Sequence, residues 1–397
     1  MNTSINKIKL DHLGQYYAAT SNENNPGTFS VTAYLNEPLS SSILQQSVQD
    51  LMERLPFFNV QLHRGLFWWY HKKLKHVPKI IHASKITEPL RYFEKRDNHL
   101  LRIIYGERHF TIEVLHTLCD GRSLARVVTA LLTRYFERKG VNICKHQVIN
   151  CNTTPKPEEM EDAYSHHADL CSSKGEAKYD SYVPKYSFNP ARVIVQNFDL
   201  NTIKMNAKSQ GTTITEYIMT NILSEFAKQR TKDGCQKKIT VNVPIDCRSF
   251  FKSESMRNFV TSKVITMPEK TEFPEIATGI KKQFSTIDSD FIQEKISEME
   301  RLIKLSTFIP LFIKNSLLKK IGRDASSGLT TGFSNLGLIK LPKEIQNRIS
   351  NLAFSLGPEP NMPYQFACVA TGNTLTLTTT TIAEDIEIIE RIGKAIG

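Results

Sequence analysis

Phe110-Thr111-Ile112-Glu113-Val114-Leu115-His116-Thr117-Leu118-Cys119-Asp120-Gly121 is the stretch whose reading decides the fold. Phe110, Ile112 and Val114 alternate with Thr111, Glu113 and Leu115, the period-two pattern of an extended segment with one apolar face. His116 falls on that inward face. Downstream, Leu124, Val127, Val128, Leu131, Leu132, Tyr135 and Phe136 recur at the spacing of an amphipathic helix that runs to Gly140, a natural C-terminal stop. A histidine therefore stands where a buried strand ends, and an Asp-Gly turn opens the next helix.

An imidazole, with an ordinary pKa of about 6.5, takes a proton from a hydroxyl or amine at neutral pH when a neighbour fixes its tautomer. His116 meets the positional requirement. Two simpler roles fit the same residues. A core histidine satisfied by backbone has this pattern, because a His-x-x-x-Asp spacing recurs by chance, and an aspartate just before a helix is a favoured N-cap worth about 1 kcal/mol. A buried carboxylate needs a partner. Arg248, two residues past Asp246, is the candidate, since guanidinium and carboxylate can pair through two parallel hydrogen bonds. That pair would join the two halves of the chain.

The halves read alike in kind. The first has predicted strands at 28–35, 59–63, 67–71, 100–105 and 109–116, and a helix capped at Ser42 that carries Leu44, Val48, Leu51 and Leu55 before Pro56 stops it. From about 144 to 184 the apolar periodicity fades, and Asn152-Thr153-Thr154-Pro155-Lys156-Pro157-Glu158-Glu159 begins a polar stretch typical of a linker. The second half restarts with a strand at 191–198 and a helix from about Thr213. In the next strand, 239–248, the odd positions through Ile245 are apolar, so Asn242, Asp246 and Arg248 share the opposite face. Helices fill 273–318, strands follow at 366–370 and 374–381, and a helix at 384–395 closes the chain. Each half thus has a sheet and covering helices, an α+β class. The expected division is 1–155, a linker at 156–185, and 186–397.

Length and charge bound the possibilities. A chain of 397 residues suits two domains with ample core. Lys and Arg number 51 against 40 Asp and Glu, a formal charge of +11 that favours an anionic partner such as a phosphate-bearing cofactor, an acidic carrier protein or a membrane surface. The basic residues are scattered, with small clusters at Lys72-Lys73-Lys75 and Lys237-Lys238, and no usual nucleic-acid-binding motif is present, so no nucleic-acid partner is expected. Seven cysteines without a C-x-x-C pair fit reduced thiols in a cytoplasmic protein. No stretch reaches the roughly 18 uninterrupted apolar residues of a membrane span. The nearest approach, 302–321, mixes Phe308, Ile309, Leu311 and Phe312 with lysines and reads as a core helix interrupted at Pro310, the other reading being a membrane-surface element.

Three motifs in order carry a resemblance. His116-Thr117-Leu118-Cys119-Asp120-Gly121 at a strand-to-helix junction, Pro244-Ile245-Asp246-Cys247-Arg248 in a second-half strand, and Ser334-Asn335-Leu336-Gly337 further on resemble the chloramphenicol-acetyltransferase-like superfamily, in its alcohol acetyltransferase and condensation-domain-like branch. The resemblance runs from about Tyr16 to the final helix. It implies two such subdomains forming a pseudo-dimer, with a tunnel between them that admits an acyl thioester from one side and an acceptor from the other. It also implies His116 as the general base, Asp120 as a structural residue held by Arg248 with Asp246 beside it, and Gly121 as a small residue whose N–H can help to stabilise an oxyanion. Ser334 and Asn335 become candidates for lining the tunnel, a simple turn being their other reading.

The expected function is therefore transfer of an acyl group from acyl-CoA or a phosphopantetheine-linked acyl carrier protein to a hydroxyl or amine, by a monomer with no bound cofactor and no metal. The alternative is a catalytically silent condensation-like module that scaffolds a carrier protein or synthetase. Departures from the pattern narrow this. Leu115 stands where peptide-synthetase condensation domains carry a first histidine, and the Asp-Phe-Gly-Trp-Gly signature of plant acyltransferases is replaced by the Ser334 to Gly337 run. His166-His167 with Asp169 and Cys171 lack a spaced fourth metal ligand, and Cys119 reads as a small buried thiol.

Overall fold

The computed structural model describes residues 7–22, 25–86, 90, 98–144, 148–169, 179–187, 190–326 and 328–397. Cys171 and part of the expected linker lie outside the described residues. The first half runs β1 (Lys7–Lys9), α1 (His12–Thr20), β2 (Thr28–Leu35), α2 (Ser41–Arg54), β3 (Val60–Arg64), β4 (Trp69–Lys73), β5 (Ile81–His82), β6 (Leu101–Tyr105), β7 (His109–Leu115) and α3 (Gly121–Arg138). After the short α4 (Ala163–His167) come β8 (Arg192–Asp199), α5 (Leu200–Ser209), α6 (Ile214–Lys232), β9 (Thr240–Asp246), β10 (Val260–Thr266), α7 (Phe273–Phe284), α8 (Ser289–Leu305) and α9 (Leu311–Ser326). The chain closes with β11 (Thr331–Leu338), α10 (Lys343–Gln346), β12 (Ile349–Leu356), β13 (Tyr364–Thr371), β14 (Thr374–Thr381) and α11 (Glu387–Ile396).

Two mixed sheets organise these elements. The first has the order β12-β2-β7-β6-β5 and the second β10-β9-β11-β13-β14-β8, with a small β1-β4-β3 sheet beside the first. β7 sits inside its sheet, so the Phe110, Ile112 and Val114 side chains bury against α2 and α3, whose Leu44, Val48, Val128 and Leu131 fill one core. The second core lies between the other sheet and α6 and α11. β12 comes from the second half yet pairs antiparallel with β2 of the first. The excursion from β11 through β12 to β13 thus ties the halves together and brings Phe354 against Phe29.

Several expectations change in detail. Ser42 does not cap α2; the helix starts at Ser41 with Ser40 as N-cap, whose side chain makes no capping bond. Arg248 is not on the β9 strand but on a 3-10 turn, Cys247–Ser249, because the side chain of Asp246 accepts from the Arg248 N–H and turns the backbone. The Ser334 to Gly337 run is no loop. It belongs to β11, where pairing of Ser334 and Asn335 with β13 holds it extended and a register shift between Asn335 and Leu338 uses the positive φ of Gly337. Residues 302–321 are not a core helix: they form the end of α8, a turn and most of α9, and Leu305, Phe308 and Phe312 are exposed, since α9 buries only Leu311 and Lys314 among its clearly described side chains. Within the stretch read as linker, Glu159 takes a bidentate pair from Arg54 at 2.7 Å on each arm, and Tyr164 is buried against Phe259. Among the described residues no helix is long and apolar enough to cross a membrane.

Candidate active site

His116 follows β7 directly, and its N–H donates to the Gly27 carbonyl at 2.8 Å, which extends the β2–β7 ladder by one step and fixes where the ring leaves the strand. The imidazole lies between two aromatic rings, stacked on Tyr17 at 4.1 Å with an interplanar angle of 12° and tilted against Phe29 at 4.6 Å. Its Nδ1 is 2.9 Å from Oδ1 of Asn258. The orientation of that amide is fixed from the other side. The Asn258 Nδ2 donates to the Asp11 carboxylate oxygens at 3.1 and 3.2 Å and to the His116 carbonyl at 3.0 Å, acceptors all. Oδ1 therefore faces the imidazole as an acceptor, so Nδ1 carries the proton and Nε2 keeps its lone pair. Burial lowers the His116 pKa below the ordinary value, with the Asp120 charge and the Asn258 bond partly opposing it. Burial thus favours the neutral form of the ring.

Asp120 does a different job. It is fully buried at the N-cap of α3, where Oδ1 accepts from the Ser123 N–H at 2.9 Å. Its Oδ2 accepts from Arg248 Nη1 at 2.7 Å and from the Phe259 N–H at 2.9 Å. Burial pushes this carboxyl up, but the Arg248 guanidinium and the two backbone donors outweigh it and hold the pKa below the usual carboxylate range. The pairing with Arg248 is not the two-armed fork that the sequence allowed. One nitrogen, Nη1, is shared between Asp120 and Asp246, while Nη2 donates to the carbonyls of Ser255 at 2.9 Å and Arg257 at 2.7 Å. Asp246 accepts in addition from Arg122 of α3 at 2.7 Å. The two halves are thus bolted at the first turn of α3.

A cavity of about 1340 Å³ opens between the halves. His116, Asp120, Gly121, Asp246, Arg248, Ser334 and Asn335 all contribute to its wall. Phe29 and Phe354 come from the first sheet, Val243 and Phe333 from the second. Gly121 is needed for close approach: a Cβ there would meet Leu336 Cδ2 at 3.0 Å and Phe354 Cζ at 3.3 Å. Asn335 donates from Nδ2 to Thr215 Oγ1 at 3.0 Å and so pins β11 to the start of α6. Seven Arg and Lys side chains against four Asp and Glu line the cavity, which gives its wall a positive balance. Cys119, next to this site, is buried, and burial pushes its thiol up well above the ordinary value. His167 donates from Nε2 to the Lys252 carbonyl at 3.2 Å and packs on Phe259. Among the described residues no group of three or more His, Cys, Asp and Glu side chains is placed to hold a metal ion.

Asn258 and Tyr17 carry no signal in the sequence that joins them to His116. Asn258 lies 142 residues from His116 and Asp11 another 247 from Asn258. The only local hint is Asp11 before the helix of His12–Thr20, where it accepts from the Gly14 N–H at 2.6 Å.

No family model and no curated protein sequence matches this chain. Solved structures do. Polyketide synthase associated protein 5 from Mycobacterium tuberculosis superposes with a TM-score of 0.63 at 14% identity, covering 98% of this chain and 96% of that one. The fold is that of the condensation domains. The first condensation domain of the CDA synthetase gives a TM-score of 0.60 at 11% identity, covering 100% of this chain and 97% of that one. The X-domain from teicoplanin biosynthesis gives 0.54 at 11%, covering 100% and 95%. The chain therefore shares with these structures an α+β fold of two subdomains arranged as a pseudo-dimer.

Proposed function

We propose that the chain is an acyltransferase in which His116 is the general base, and that it moves an acyl group from a thioester to a hydroxyl or amine. The observation that carries this reading is the tautomer lock: Asn258 holds the proton on Nδ1, which leaves Nε2 as the basic atom of a ring lining the cavity between the halves. In the step that follows, Nε2 takes the acceptor's proton as its oxygen or nitrogen attacks the thioester carbonyl carbon. The tetrahedral oxyanion collapses with cleavage of the C–S bond, and the imidazolium returns the proton to the departing thiolate. The positive end of α3, opened by Gly121 at the cavity wall, favours the negative charge of that intermediate. The imidazolium is favoured in turn by Asn258 Oδ1 and by the Asp120 charge, both of which raise the affinity of the ring for a proton.

The basic balance of the cavity wall supports a donor with phosphates, acyl-CoA or an acyl phosphopantetheine on a carrier protein. The test is release of free thiol from a panel of acyl-CoA and acyl-phosphopantetheine donors with alcohol and amine acceptors, wild type against His116→Ala. Thiol release that depends on acceptor and is lost in the variant supports the reading. Equal rates in the two proteins overturn it, and carrier-protein binding without turnover in the wild type assigns the chain to a scaffold role instead.

A further inference from the structure

The exposed apolar side chains are not spread evenly. Of the fifteen large apolar residues that stand most exposed among the described residues, nine lie on one feature made of the β3–β4 turn, the end of α8 and α9. Phe308 is 87% exposed, Leu66 74%, Leu305 70% and Phe312 63%, with Ile313 and Leu317 continuing along α9. Values this high mean protrusion, because a side chain in a groove is shielded by its walls. A contiguous apolar patch on a protein surface marks an interaction site.

The β3–β4 turn and α9 are held as one piece. The Leu311 N–H donates to the Leu66 carbonyl at 2.9 Å, Lys314 Nζ donates to the Phe67 carbonyl at 2.9 Å and sits over the Trp68 ring, and Trp69 Nε1 donates to Asn315 Oδ1 at 3.2 Å. The turn and α9 therefore present their apolar side chains together. Over residues 301–321 the charge has a single sign. Residues 301–321 include Arg301, Lys304, Lys314, Lys319 and Lys320 and no Asp or Glu, although Glu300 just before them pairs with Lys304 at 3.2 Å. Arg301, Lys304, Lys319 and Lys320 are exposed beside the apolar tips.

We infer that this feature is a docking surface for an anionic lipid bilayer, with Phe308, Phe312, Leu305 and Leu66 inserting at the headgroup boundary and the lysines meeting the lipid phosphates. Protruding apolar side chains interleaved with lysine and free of acid match the chemistry of an interface that is apolar beneath and negative above. α9 also packs on α1, where Gly322 comes within reach of Tyr16 and Thr20, and α1 carries the Tyr17 ring stacked on His116. The bilayer contact is thus one helix from the candidate active site. It stands on exposure and charge and is independent of the acyl-transfer reading.

The experiment is flotation of the full chain with phosphatidylcholine vesicles, with and without phosphatidylserine, at low and high salt. Wild type is expected to float with the phosphatidylserine vesicles, and less as salt rises. Phe308→Asp with Phe312→Asp is expected to abolish flotation, and Lys319→Ala with Lys320→Ala to weaken it about 30-fold, the equivalent of about 1 kcal/mol per lysine. These surface variants are expected to keep their melting temperature and their thiol release with a water-soluble acceptor, so failure of docking and failure of the proposed reaction are separate results. Absence of wild-type flotation overturns the inference, as does flotation that the Phe308 and Phe312 changes leave intact. A concentration-dependent dimer that those two changes dissociate would assign the patch to a second copy of the chain and also overturn it.

Discussion

His116 and Asp120 stand four residues apart on one turn, and their surroundings differ in kind. Around Asp120 both carboxylate oxygens are taken by Ser123, Arg248 and Phe259, and Arg248 spends its own donors on Asp120, Asp246, Ser255 and Arg257. Around His116 two aromatic rings cover the faces of the imidazole, one side-chain partner holds Nδ1, and the ring borders the cavity. A buried charge whose bonds are complete is a fixed point; a neutral ring with a locked tautomer at a cavity wall can exchange a proton. The turn thus sets a fully bonded charge four residues from a cavity-lining imidazole.

The largest expected effect tests that separation directly. His116→Ala should lower kcat/KM for thiol release by about 10²–10⁴-fold, the usual range for loss of a general base, with little change in melting temperature. Arg248→Ala should do the reverse in kind. Removing one partner of a buried pair costs about 3–5 kcal/mol, so denaturant unfolding should show a large loss of stability. An unchanged unfolding midpoint in Arg248→Ala would erase the contrast between the two residues. Asn258→Ala should lower kcat by about 10–100-fold, because a hydrogen bond to the imidazolium formed in the reaction is worth about 1.5–3 kcal/mol. If His116 needed no tautomer lock, this variant would lose stability alone and keep its kcat.

Smaller effects sharpen the picture. Burial depresses the folded-state pKa of His116, so the base stays neutral until the pH falls below the ordinary value of about 6.5. The acid limb of kcat/KM should therefore lie below pH 6.5 or so, and a limb above that value in the wild type would contradict the burial argument. The same sign means that falling pH favours the unfolded chain, which binds this proton more readily. Gly121→Ala should cost about 1 kcal/mol, since Leu336 and Phe354 must each give way by a few tenths of an ångström, and thermal unfolding reads it.

Much of the frame was legible in the residues. The strand 28–35 and the strand 374–381 coincide with β2 and β14, because long alternating or β-branched runs state their own geometry. The amphipathic helix after Gly121 is α3 for the same reason. β10, β11 and β12 were not legible as strands. β10 is an edge strand with little burial and so no alternation to read, β11 includes Gly332, Ser334, Asn335 and Gly337 that look like a turn, and β12 pairs with the sheet of the other half. The partner of Arg248 was legible as a chemical need, while its division among Asp120, Asp246 and backbone carbonyls was not. The exposed apolar face at 302–321 was read as core because composition cannot tell which side of a helix meets another element.

By itself the sequence determined where a buried strand meets an amphipathic helix, that a histidine and an aspartate stand at that junction, and that each half builds a sheet with covering helices. Periodicity and residue chemistry are local properties, and they act over a few residues. Tertiary structure alone decided that Asn258 and Asp11 lock the tautomer of His116, that Tyr17 and Phe29 clasp its ring, and that β12 crosses to close the cavity. Those contacts join residues far apart in the chain, and they exist only after both cores have formed and set the distance between them.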